Sequence, residues 1–130
     1  MASNEVFGSK VLIFSFHDDY RKLAAEAAQD AGWYPNSFDN PVYALEELDE
    51  TIGALITALP VQSPEFGKRS FEPLITRSNE LVIPRAIISA HAWARDFVRS
   101  EVADTYVSVN NSTTMAKRLT KWLIDISPER

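Results

Sequence analysis

Lys10-Val11-Leu12-Ile13-Phe14-Ser15-Phe16 holds four consecutive apolar residues after a single lysine, with no polar residue before Ser15. A strand with one wet face alternates apolar and polar residues, whereas an unbroken run implies burial on both faces. Such runs belong to the centre of a parallel sheet covered by helices on each side. The period then changes. Asp18 or Asp19 offers a helix N-cap, residues 20–31 carry Leu23, Ala24, Ala27 and Ala31 on one stripe, and Gly32 supplies a C-terminal stop. A strand-length run followed by a helical stripe is one βα unit.

The same alternation continues along the chain. Residues 33–38 read as a second strand near the sheet edge, because Pro35 cannot donate to a ladder. Asn40 before Pro41 is an N-cap with proline at the first helical position, and Val42, Leu45 and Leu48 follow at three-residue spacing. Residues 53–59 form a third apolar run ended by Pro60. Residues 61–67 read as a loop, and residues 66–78 as a third helix interrupted by Pro73. Residues 85–89 form a fourth strand, and residues 93–102 a fourth helix with Trp93 and Phe97 inward. Residues 105–109 are a fifth strand. Ser112 or Thr113 then caps a last helix with Ala116, Leu119, Leu123 and Ile126 on one face. Five strands alternating with five helices predict an α/β domain of the flavodoxin-like, doubly wound type, with a five-stranded parallel sheet in three α/β/α layers. Residues 10–126 form that domain, and residues 1–9 and 127–130 read as loose tails.

Composition removes several classes of function. At 130 residues the chain is one ordinary domain. It has no cysteine, which excludes disulfides, thiolate metal sites and cysteine nucleophiles. The net charge is −5 and the pI about 5.0, with Lys117, Arg118 and Lys121 the densest basic group. No basic stripe matches a run of phosphates, so direct nucleic-acid binding is not expected. No apolar stretch is long enough for a bilayer, and residues 1–10 lack signal-peptide character, so a cytoplasmic location without membrane contact is expected. With four glycines and neither a GxGxxG nor a Walker pattern, no phosphate cradle and no cofactor are expected.

The local strings resemble two-component receiver domains. Lys10–Phe14 is similar to their opening strand, and the helix after His17-Asp18-Asp19-Tyr20 begins where theirs does. Leu55-Ile56-Thr57-Ala58-Leu59-Pro60 resembles their third strand, which ends in a hydrophobic residue and proline. Ile87-Ile88-Ser89-Ala90 resembles a fourth strand closing on a hydroxyl residue and alanine. Ala103-Asp104-Thr105-Tyr106-Val107 is similar to the approach to their aromatic switch position.

The resemblance also defines what is missing. A receiver takes a phosphoryl group on an aspartate at the end of the third strand, with Mg²⁺ held by two acidic residues after the first. Here Ser15 and Phe16 stand in the acidic pocket, and Thr57 or Ala58 takes the phosphoacceptor position. No Asp or Glu occurs between Thr51 and Pro64. The lysine of the fifth strand falls on Val109, and Asn110 replaces the following proline. Ser89 and Tyr106 remain as a switch-like pair, against the plainer reading of a strand-end hydroxyl and a half-buried aromatic. Asp18 and Asp19 read as helix-terminal residues rather than a shifted pocket, since two carboxylates without a third ligand hold Mg²⁺ poorly. His17 and His91 lack an acidic or nucleophilic partner and read as surface residues.

The expected function is therefore that of a pseudo-receiver, a non-catalytic signalling module of two-component or phosphorelay type. It would act by contact with a sensor kinase, an output domain or itself. The resemblance places the partner surface, and a candidate homodimer face, on the fourth helix, fifth strand and fifth helix, with Trp93, Arg95, Arg99, Tyr106 and Lys117. Trp, Tyr and Arg are enriched at interface hot spots, although Trp93 as core and the arginines as solubilising groups is the plainer use. The alternative is a flavodoxin-like small-molecule binder or enzyme working through the loops at the carboxyl ends of the strands.

Overall fold

The computed structural model describes residues 10–58, 64–89, 105–108 and 112–126. The elements in order are β1 (Lys10–Phe14), α1 (Asp18–Asp30), β2 (Tyr34–Phe38), α2 (Pro41–Glu47), β3 (Ile52–Ala58), α3 (Pro64–Leu81), β4 (Arg85–Ser89), β5 (Thr105–Ser108) and α4 (Ser112–Asp125). The strands form one parallel sheet in the order β2-β1-β3-β4-β5. This is the flavodoxin-like order. β1 and β3 are neighbours at the point where the order reverses, and β2 is an edge strand, as Pro35 requires.

Two cores lie on opposite faces of the sheet. Val11, Ile13, Ala54, Ile56, Ala86 and Ile88 point toward α1 and α4, where Ala24, Ala27, Met115, Leu119 and Leu123 meet them. Leu12, Phe14, Leu55 and Ile87 point the other way, against Ala44 and Leu48 of the α2 segment and Leu74 and Ile75 of α3. The consecutive residues of one strand thus fill both cores alternately, which is why the apolar run is unbroken.

Helix ends follow local chemistry. Asn40 Oδ1 accepts from the amides of Val42 and Tyr43 at 2.8 and 3.3 Å, capping α2 with Pro41 at its start. After α1, Gly32 takes φ +85°, its amide bonds Gln29 O and the Trp33 amide bonds Ala28 O. This is the Schellman closure, in which a left-handed residue satisfies the last carbonyls. α3 closes in the same way through Val82, with Val82 N on Asn79 O and Ile83 N on Ser78 O. Val82 has φ 57°, a strained conformation for a β-branched residue, and its side chain is exposed.

Several boundaries and faces differ from the sequence expectation. β1 ends at Phe14, β2 begins at Tyr34, and β3 runs over Ile52–Ala58. Asp18 and Asp19 are not caps: the N-cap is His17, which makes no side-chain cap bond, and both aspartates lie in the first turn of α1. The expected loop at Pro64 is already helical, since proline fits a first helical position, where no amide is needed. α3 also continues through Pro73. That proline is exposed, and burial of Leu74, Ile75 and Ser78 just beyond it offsets the lost hydrogen bond. Val42 faces solvent while Ala44 takes its place in the core, and Met115 is a core residue of α4 ahead of Ala116. The expected helix over residues 93–102 lies outside the described residues.

Candidate functional site

The carboxyl ends of β1 and β3 meet at the topological switch point, where open α/β sheets place their ligands. Phe14 pairs with Phe38 on one side and with Thr57 on the other, and Thr57 pairs with Ile87. Ser15 extends the ladder by one bond, from its amide to Phe38 O at 3.2 Å. Ser15 is buried, and its Oγ accepts from the His17 amide at 2.9 Å, folding the chain toward α1. Phe16 is 46% exposed and stands edge-on to Phe14, ring centres 5.1 Å apart. His17 lies against Tyr20, with ring centres 5.0 Å apart.

One residue of this corner escaped the sequence reading. Arg21 reaches back from the first turn of α1, donating from Nη1 to the Ser15 carbonyl at 2.7 Å and from Nη2 to the Asp18 carboxylate. The side chain of Arg21 is 17% exposed and that of Asp18 is 87% exposed. The carboxylate therefore lies in solvent while the guanidinium sits low against the end of β1. The only available signal was the Asp18–Arg21 spacing of three, which is common on any helix.

Thr57 presents the opposite situation. It is 1% exposed, and its Oγ1 has no hydrogen-bond partner among the described residues. Removing a buried, unpaired hydroxyl removes a desolvation penalty of about 1–3 kcal/mol. Thr57→Val is accordingly expected to raise stability by about 1 kcal/mol in urea unfolding. A loss of that size instead would show that the hydroxyl is bonded in solution.

Ser15, Phe16 and Thr57 thus come together at one end of the sheet, and Ala58 ends β3 beside them. Ser89 ends β4 opposite Ser108, and Tyr106 pairs with Ile87 two residues earlier along β4. Lys117 is exposed on α4. His91, Trp93, Arg95, Arg99, Val109 and Asn110 lie outside the described residues.

Ser15 and Phe16, at the end of β1, do not fit a Mg²⁺ ion. Hard divalent cations take carboxylate and carbonyl oxygens. Here the Ser15 carbonyl already accepts from a guanidinium, Ser15 Oγ already accepts from an amide, and Phe16 is apolar. Among the described residues no group of three His, Cys, Asp or Glu side chains converges.

No protein-family model matches the sequence, and no curated protein is detectably similar to it. Solved structures do resemble it. A de novo designed Rossmann 2x3 fold protein superposes with a TM-score of 0.70 at 12% identity, covering 94% of each chain. Chemotaxis protein CheY4 of Vibrio cholerae superposes with a TM-score of 0.66 at 17% identity, over 87% of this chain and 97% of the other. Response regulator TrrA of Thermotoga maritima, solved in complex with Mg²⁺–BeF, gives 0.66 at 18% identity, over 88% and 98%. The chain has the CheY-like, receiver-type form of the flavodoxin fold. A designed protein shares the same shape, so shape alone assigns no chemistry.

Proposed function

We propose that this domain is a receiver-fold signalling module that works through protein contacts and accepts no phosphoryl group. The observation that carries this reading is the switch point itself. Phosphoryl transfer to a side chain needs a nucleophile, and stabilisation of the charge that develops on the phosphoryl oxygens. Among the described residues no base is hydrogen-bonded to Thr57, and a hydroxyl so placed is a weak nucleophile. Arg21 bonds the Ser15 carbonyl, so a divalent ion on that oxygen would meet a fixed positive charge.

What remains is a scaffold for contacts. Arg21 ties the first turn of α1 to the end of β1, and the helices offer surfaces for partners. A kinase, an output domain or a second copy are the partner classes that receiver relatives imply. The absence of catalysis is part of the same reading.

The test is incubation with acetyl phosphate and Mg²⁺, followed by intact-mass measurement, with BeF₃⁻ as a second probe. We expect no 80 Da adduct, to the nearest ~1% of the protein, and no shift in melting temperature with Mg²⁺–BeF₃⁻, where binding at 100 times Kd would add about 2.7 kcal/mol. An adduct that disappears in Thr57→Val, or a shift with Mg²⁺–BeF₃⁻, would overturn the reading.

A further inference from the structure

We draw no further inference here: the strongest candidate, the groove along α4 beside the end of α1, has Asp30 and Asp125 beside Lys117 and Lys121 in its lining, with Lys121 already on Asp125, and nothing in the structure shows what covers it.

Discussion

Replacing Ile13 or Leu55 by alanine is expected to cost about 2–5 kcal/mol each. Both side chains are almost wholly excluded from solvent, on adjacent central strands but on opposite faces. Ile13 packs in the core under α1 and α4, and Leu55 in the core under α2 and α3. Each truncation loses the transfer free energy of the deleted groups and leaves a cavity. Strands held by neighbours on both sides cannot move in to fill it. Domains of this size are stable by only about 5–15 kcal/mol, so either variant should shift the urea midpoint by a large fraction of its range. Lys22→Ala on the exposed side of α1 serves as the control and should stay within about 0.5 kcal/mol. Near-neutral results at both Ile13 and Leu55 would contradict a sheet covered on both faces.

The second large effect is expected at Trp33. Its ring is 5% exposed, and its indole Nε1 donates to the Leu123 carbonyl at 3.0 Å, across 90 residues of chain. Leu123 lies in the last turn of α4, where backbone carbonyls have no partner within the helix. Trp33 therefore fills the core between α1 and α4 and also satisfies the end of the C-terminal helix. Trp33→Ala should cost about 3–5 kcal/mol, as for other buried aromatic truncations. Trp33→Phe keeps most of the apolar contact but strands the carbonyl, at an expected cost of about 1–3 kcal/mol. Equilibrium unfolding followed by far-ultraviolet circular dichroism would measure both, and hydrogen exchange in α4 would locate the phenylalanine effect. A negligible cost for Trp33→Phe would mean that the hydrogen bond contributes nothing.

Much of the fold was legible because it is written in short-range pattern. The apolar run at Val11–Phe14, the Asn40-Pro41 cap, Gly32 after α1 and the Arg85–Ser89 strand each depend on residues within one or two turns of each other. The candidate site was legible in part. Ser15, Phe16 and Thr57 could be placed at the ends of neighbouring strands because strand ends and βα order locate the switch point. The role of Arg21 could not be read, since a long side chain near a helix start can point to water or fold back. Its direction is set by where the end of β1 lies.

The alternation of strands and helices, the parallel sheet and the absence of carboxylates from the β3 end can all be read from neighbours along the chain. The rest follows from how distant segments pack. Packing carried α3 through Pro73 by burying Leu74 and Ile75, and turned Val42 to solvent while Ala44 entered the core. Packing also left Thr57 buried without a partner among the described residues and joined Trp33 to Leu123. These outcomes depend on which faces meet across the sheet. That meeting is governed by the shape and burial of residues far apart in sequence, and no local pattern records it.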